Sequence, residues 1–133
     1  MTVAQHDAKY WSQRREEWLD RVESLLQQIE KWATSQGWPV RRETRTIEEK
    51  YVGSYEAPAL VLTLPAGELS AEPIAMRIIK GDGRVDLQGY PTLNRVMLLS
   101  RGDDWVIMTE SNVPLHADWN QQTFIRLAPE LLE

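Results

Sequence analysis

Two consecutive β-hairpins are encoded by residues 74–110, which read IAMRIIKGDGRVDLQGYPTLNRVMLLSRGDDWVIMTE. Apolar and polar residues alternate around two short turns, Gly81-Asp82-Gly83 and Gly102-Asp103. Asp-Gly and Gly-Xaa pairs favour two-residue hairpin turns, because these turns need positive φ angles that glycine adopts without strain. The pattern predicts antiparallel strands over residues 74–80, 84–90, 93–101 and 104–110.

The turns also predict the register of each hairpin, since an odd slip would mix apolar and polar side chains on one face. For the first hairpin the predicted pairs are Lys80 with Val85, Ile78 with Leu87, and Met76 with Gly89. For the second they are Leu99 with Val106, Met97 with Met108, and Arg95 with Glu110. Both faces of the last two strands are then apolar, so we expect this part of the sheet to be covered on both sides.

Two arginines interrupt these apolar strands, and arginine is seldom buried without a partner. The predicted registers place Glu110 opposite Arg95 and place Asp86 diagonal to Arg77. We therefore predict structural ion pairs at both positions. The alternative is that Arg77 or Arg95 binds a ligand in a covered pocket.

A long amphipathic helix is predicted over residues 8–36. Its apolar residues recur at the three- and four-residue steps of one helical face. They are Trp11, Trp18, Val22, Leu25, Ile29 and Trp32. Gly37 followed by Pro39 ends the helix, because glycine takes the left-handed cap and proline cannot continue the helix.

The remaining segments complete an α+β fold. Residues 40–49 are polar but compatible with a charged edge strand. Shorter strands are predicted at 51–55 and 59–64, and a short helix at 120–132, capped by Asn120 or Asp118. The sequence thus predicts one domain over residues 1–133: a long N-terminal helix, an antiparallel β-meander of five to six strands, and a short C-terminal helix.

Composition narrows the functional classes. The chain has 133 residues, no cysteine and a net charge of −5. The absence of cysteine excludes disulfides and thiolate chemistry, and an acidic chain repels phosphate backbones. Neither a signal peptide nor an apolar run long enough for a membrane span is evident. We expect a soluble cytoplasmic protein that does not bind membranes and binds nucleic acid poorly.

Catalytic, metal and phosphate motifs are not apparent. The two histidines, His6 and His116, are far apart, and we interpret His116 as structural or solvent-exposed. Glu48-Glu49-Lys50 resembles the Glu-x-Lys of a metal-dependent nuclease, but no aspartate precedes it at a suitable distance. No glycine-rich phosphate loop is present. We expect no catalytic residue, no metal and no cofactor, with a carboxylate-dependent hydrolase or nuclease as the least favoured alternative.

One basic cluster lies on the predicted edge strand. Arg41 and Arg45 point to one side of it and Arg42 to the other. Neighbouring glutamates dilute its charge, which favours a solvated strand edge. The alternative is a small-ligand or single-stranded nucleic-acid site, with Arg41 and Arg45 binding and with Tyr51 and Tyr55 stacking on bases.

Tryptophan is the compositional peculiarity, with six residues in the chain. Three lie on the helical stripe, where core packing is the simplest explanation. Tryptophan and arginine also dominate interface hot spots, which makes Trp11, Arg15 and Trp18 the candidate partner-binding residues. The leading hypothesis is a non-enzymatic protein-interaction module: an adaptor, inhibitor or chaperone-like subunit that binds a protein partner or a second copy of itself.

Overall fold

The fold is a long helix, a six-stranded antiparallel sheet and a short helix, as predicted. The computed structural model describes residues 3–78, 82–111, 115 and 117–133. The elements are α1 (Val3–Ser35), β1 (Val40–Glu49), β2 (Gly53–Leu64), β3 (Gly67–Ala75), β4 (Arg84–Tyr90), β5 (Arg95–Arg101), β6 (Asp104–Thr109) and α2 (Gln121–Glu130). The strands lie in the order β1-β2-β3-β4-β5-β6, so each strand pairs with its neighbours in the chain.

The two helices cover one face of this sheet, which we call the helix face. The apolar stripe of α1 is buried there, with Trp18, Val22 and Ile29 at 0 % exposure. The stripe forms one hydrophobic core together with Phe124 of α2 and with strand residues that point toward the helices. Those strand residues include Leu60, Leu62, Leu69, Leu87, Leu98 and Ile107.

Helix α1 ends in the glycine cap that the sequence predicts. Gly37 has a φ of +78°, and its amide donates to the carbonyl of Thr34 at 3.0 Å. The amide of Trp38 donates to the carbonyl of Ala33 at 3.0 Å. This pair of bonds satisfies carbonyls that have no partner within the helix, and it directs the chain into β1.

The second predicted hairpin is confirmed. Met97 pairs with Met108 and Leu99 with Val106 in the β5–β6 ladder. Nε of Arg95 lies 3.5 Å from a carboxylate oxygen of Glu110, so these two side chains share a face of the sheet.

The first predicted hairpin is wrong in its register. Strand β3 comprises Gly67–Ala75, and its pairs with β4 are Leu69 with Gly89, Ala71 with Leu87, and Pro73 with Val85. The predicted strand at 74–80 was therefore placed several residues too late. The period-two pattern that decides the register lies upstream, in the alternation of Leu69, Ala71 and Pro73 with polar residues.

A hydrogen-bonding competitor explains why β3 stops where it does. The backbone amides of Met76 and Arg77 donate to the Glu49 carboxylate, each at 3.0 Å. These amides therefore bind a side chain from β1 instead of continuing the ladder with β4. Ile79, Lys80 and Gly81 lie outside the described residues.

The second face of the sheet, which we call the open face, has no helix packed on it among the described residues. Its apolar cluster of Met97, Leu99 and Met108 is nevertheless buried, with Ile78 and Val106 packed against it. Among the described residues, the predicted cover is therefore found as a layer on the helix face only, and on the open face the apolar side chains pack against one another and against Ile78.

Helix α2 begins with the predicted cap. Oδ1 of Asn120 accepts a hydrogen bond from the amide of Thr123 at 2.9 Å, which satisfies one of the free N–H groups of the first turn. Within the described part of the chain, no helix is apolar enough over a sufficient length to cross a membrane.

Candidate functional site

The basic cluster on β1 forms ion pairs within the protein. The Glu43 carboxylate contacts Nε of Arg41 at 3.1 Å and Nη2 of Arg45 at 2.7 Å. Nε of Arg45 also contacts Glu72 on β3 at 2.7 Å. The hydrogen bonds from Arg45 and Arg41 lower the pKa of Glu43. As predicted, Arg42 points to the other side, where Glu23 and Glu30 of α1 bind it.

A second ion-pair cluster surrounds Asp86 on the open face. Asp86 is 5 % exposed and accepts two hydrogen bonds from Arg84, at 2.7 and 2.9 Å. These bonds raise the pKa of Arg84. Nη1 of Arg95 lies 3.6 Å from the same carboxylate. Arg84 was not among the residues predicted from the sequence, although residues two apart on a strand share a face.

These clusters give Arg41, Arg45 and Arg95 a structural explanation. An antiparallel sheet with one solvated face carries polar side chains there, and opposite charges stabilise neighbouring strands. Their guanidinium groups already contact carboxylates, so a phosphate or acidic ligand would have to compete with Glu43, Glu72 or Asp86. We therefore assign this part of the open face to stability.

Arg77 does not pair with Asp86, which corrects the predicted diagonal contact. Its guanidinium carbon lies 5.1 Å from the ring centre of Trp11 and 4.9 Å from that of Tyr51. Nη1 of Arg77 donates to the carbonyl of Lys50 at 2.8 Å. The prediction failed because β3 ends at Ala75, which leaves Arg77 outside the ladder.

Arg77 belongs to an exposed cluster that we call the aromatic patch, made of Tyr10, Trp11, Lys50, Tyr51 and Arg77. The rings of Trp11 and Tyr51 stack with centres 6.3 Å apart and an angle of 12° between planes. Tyr10 meets Trp11 edge to face at 4.8 Å. Nζ of Lys50 lies 5.1 Å from the ring centre of Tyr51. Tyr51 is 63 % exposed and Tyr10 47 %.

Glu49 fixes the backbone segment that carries Arg77 of the aromatic patch. Its carboxylate accepts the amide N–H groups of Met76 and Arg77 and the hydroxyl of Tyr55, the last at 2.5 Å. Tyr55 is 7 % exposed, and burial, together with the bond to Glu49, raises its pKa. Tyr55 is therefore a core residue, and the predicted stacking of bases on it is wrong.

Tyr51 has an unusual backbone conformation. Its φ is +70°, a region where bulky residues are rare outliers. Such strain costs on the order of 1–3 kcal/mol and is concentrated at functional sites. The turn between β1 and β2 therefore displays a large exposed ring at a position that glycine would occupy more easily.

The three candidate residues on α1 are placed differently from one another. Trp11 is half-buried in the aromatic patch, and Arg15 is also half-buried. Trp18 is fully buried in the core, so it cannot serve as an exposed anchor for a partner. The helix does not overhang the sheet as far as Trp18, and this removes that residue from the predicted binding surface.

A groove of about 1000 Å³ lies between α1, the β5–β6 turn and the segment before α2. Acidic and aromatic side chains line it together with Arg21, whose Nη2 donates to the carbonyl of Asp82 at 2.7 Å. The acidic residues are Asp20, Asp103, Asp104 and Asp118, and the aromatic ones are Trp105 and Trp119. No sequence pattern pointed to this groove, because its lining comes from segments that are far apart in the chain.

No metal centre is assembled within the described ranges, where no group of three or more acidic or histidine side chains could hold an ion. Glu49 is occupied by its three hydrogen bonds, which argues against the nuclease alternative. His116 lies outside the described residues. Comparisons with known proteins give no further guidance: no protein-family model matches the chain, and neither curated proteins nor solved structures match it significantly.

Proposed function

We propose that the protein is a non-enzymatic interaction module, acting in the cytoplasm as an adaptor, inhibitor or chaperone-like subunit. The aromatic patch is its docking surface. The observation that carries the proposal is the exposed ring of Tyr51, stacked on Trp11 and held at a strained positive φ. Trp11 is retained from the partner-binding candidates, and Trp18 is not, because it is buried. Arg77 and Tyr51, which the sequence suggested for ligand binding and base stacking, join Trp11 in the patch, and Lys50 is new.

The composition of the patch supports a protein partner. Tyrosine, tryptophan and arginine are the residue types enriched at hot spots, where a few side chains carry most of the binding free energy. Glu49 fixes the backbone of Arg77, and the aromatic rings fix its guanidinium, so little side-chain entropy is lost on docking. The side chains of the patch therefore do not have to become ordered before a partner binds.

The charges of the patch indicate the partner's chemistry. The side chains of Lys50 and Arg77 form no ion pair with any carboxylate in the described ranges, in contrast to the arginines of the open face. A partner segment with an apolar anchor beside an aspartate or glutamate would complement both the rings and the cations. Single-stranded nucleic acid could also stack on such rings, but the net charge of −5 opposes it.

The test uses Tyr51→Gly in the 133-residue chain. Glycine adopts a φ of +70° readily, so this substitution removes the ring and relieves backbone strain together. The control is Tyr90→Ala, which removes a ring that is 42 % exposed elsewhere on the surface. Tagged wild-type and variant proteins are purified from the native host, the bound protein is identified by mass spectrometry, and its affinity is measured by calorimetry.

We expect Tyr51→Gly to weaken the complex by at least about 30-fold, which corresponds to a hot spot of about 2 kcal/mol. Tyr90→Ala should bind as the wild type does. Equal loss in both variants, or unchanged binding by Tyr51→Gly, would refute the assignment of the patch. Salt-sensitive binding of single-stranded oligonucleotides by the wild type, abolished by Tyr51→Gly, would support the nucleic-acid alternative instead.

A further inference from the structure

We propose that a second copy of this chain pairs antiparallel with the outer edge of β1, joining two six-stranded sheets into one continuous sheet. This self-association is separate from docking at the aromatic patch. Strand β1 is the first strand of the sheet and pairs with β2 alone. Along its other side the backbone has no neighbouring strand among the described residues.

The orientation of the backbone groups follows from one hydrogen bond. The amide of Thr63 donates to the carbonyl of Pro39 at 2.9 Å, so Pro39 points toward β2. In an antiparallel ladder the N–H and C=O of one residue point to the same side, and the side alternates along the strand. Five residues therefore direct their backbone groups outward: Val40, Arg42, Thr44, Thr46 and Glu48.

Four of the five residues that carry the outward groups are solvent-exposed, and Val40 is partly buried. Thr44, Thr46 and Glu48 are exposed. At this edge Nη1 of Arg45 donates a long hydrogen bond, of 3.4 Å, to the carbonyl of Thr44. The side chain of Arg42 is turned back to Glu23 and Glu30 of α1. No described segment therefore has to be displaced for another strand to reach this edge.

The opposite edge of the sheet differs, which is why β1 is the favoured edge. At the outer side of β6, the amide of Leu115 donates to the carbonyl of Ile107 at 2.9 Å. Covering an edge with a loop is one way in which proteins prevent strand pairing. Strand β1 has ten residues and contains no proline, so its edge has a long, regular set of donors and acceptors.

Charge complementarity selects one register for a two-fold pair. The two-fold axis of such a pair passes between the two copies of one residue, which we call the centre. With the centre at any position from 42 to 46, the outward residues of one copy face the outward residues of the other. Centres at Arg42, Glu43, Arg45 or Thr46 place like charges directly opposite each other. The centre at Thr44 opposes no like charges, and it places each Glu43 opposite Arg45 of the other copy, an arrangement that stabilises paired strands.

The selected register makes a sharp prediction for cross-linking, because the chain has no native cysteine. In the proposed pair the two Thr44 residues face each other with Cα atoms about 5.5 Å apart, within the range of a disulfide. The two Thr46 residues are offset by four positions along the strand, or about 14 Å, which is too far. Thr44→Cys should form a covalent dimer on mild oxidation, and Thr46→Cys, also at an exposed threonine, should not.

The oligomeric state is measured on the wild-type chain by sedimentation velocity over a range of concentrations. We expect a species of twice the 15.4 kDa of one chain. Arg45→Glu, which would place two carboxylates opposite each other, should shift the equilibrium toward the monomer. Arg41→Glu is the matched control: it breaks a similar contact with Glu43 within one chain, but it lies opposite Ile47 in the proposed pair.

The outcomes separate clearly. A concentration-dependent dimer that Thr44→Cys locks, with Thr46→Cys and Arg41→Glu behaving as controls, would support the proposal. A monomer at every concentration would overturn it, and so would a dimer that neither cysteine locks. Preferential cross-linking of Thr46→Cys would also overturn it, because it would place the two-fold axis at another residue. Docking at the aromatic patch is tested separately by Tyr51→Gly, so failure of one proposal leaves the other standing.

Discussion

The indole ring of Trp18 lies against the backbone of Gly83. A Cβ atom built on Gly83 would be 2.7 Å from Cη2 of the ring and closer still to two other ring atoms. Trp18 comes from the middle of α1, whereas Gly83 immediately precedes β4. At this contact the helix packs directly on the start of β4, and no side chain fits between them.

Gly83→Ala should destabilise the protein by about 3 kcal/mol or more, because the added methyl overpacks the site and because the φ of +140° disfavours a side chain. Chemical denaturation measures the loss. Gly102→Ala is the control: it has a φ of +60° but no atom within 4 Å of the added Cβ. It should cost about 1 kcal/mol, and an equal cost at both positions would contradict the packing explanation.

Asp86→Ala should reduce the free energy of unfolding by about 2–3 kcal/mol, because it leaves Arg84 without its two hydrogen bonds in a partly buried site. Glu110→Ala should cost less than about 0.5 kcal/mol, since Glu110 is exposed and its contact with Arg95 is long. Urea denaturation of both variants tests this ranking. A larger loss for Glu110→Ala would show that Glu110 stabilises the protein more than Asp86 does.

The contribution of Arg42 should depend on pH. The hydrogen bond from Arg42 holds the pKa of Glu23 below its ordinary value of 4.5. A lowered carboxyl pKa adds stability above that ordinary value, and the addition is lost as pH falls through the lower, folded-state pKa. Arg42→Ala should cost up to about 1 kcal/mol near neutral pH.

The same substitution should therefore cost little at a pH well below the folded-state pKa of Glu23. Denaturation curves of wild type and Arg42→Ala at several pH values measure the difference between them. A difference that stays constant from neutral to strongly acidic pH would exclude the ion pair with Glu23 as its source.

Glu49→Ala should destabilise the protein by about 2 kcal/mol, because the buried hydroxyl of Tyr55 and two backbone amides lose their acceptor. It should also release Arg77 from the rings of Trp11 and Tyr51. Near-ultraviolet circular dichroism of the folded variant reports that release, with Glu48→Ala, an exposed neighbour, as the control. An unchanged aromatic spectrum would show that the rings hold Arg77 without Glu49.

The parts of the fold that the sequence predicted are those determined by local signals. Gly37 and Pro39 ended α1, and the stripe from Trp18 to Ile29 identified its buried face. The turn at Gly102-Asp103 set the β5–β6 register and so placed Arg95 beside Glu110. In each case residues that are close together in the sequence determine the local structure.

The end of β3 could not be predicted in the same way, because it depends on a residue far away in the sequence. Glu49 captures the amides of Met76 and Arg77 across 27 and 28 positions, and no local pattern records this. The aromatic patch was missed for the same reason. Trp11, Tyr51 and Arg77 come from three segments that meet only after the sheet has formed.

The order of the strands has a consequence for how the protein folds during synthesis. Every strand pairs with the one made just before it, so the sheet can grow as the chain emerges from the ribosome. Helix α1 is made first, yet Trp18 packs near Trp105, and Trp32 packs on Trp119 and Phe124. The stripe can pack on β2 early, but Trp18 and Trp32 gain these aromatic contacts only after residues 105–124 have been added.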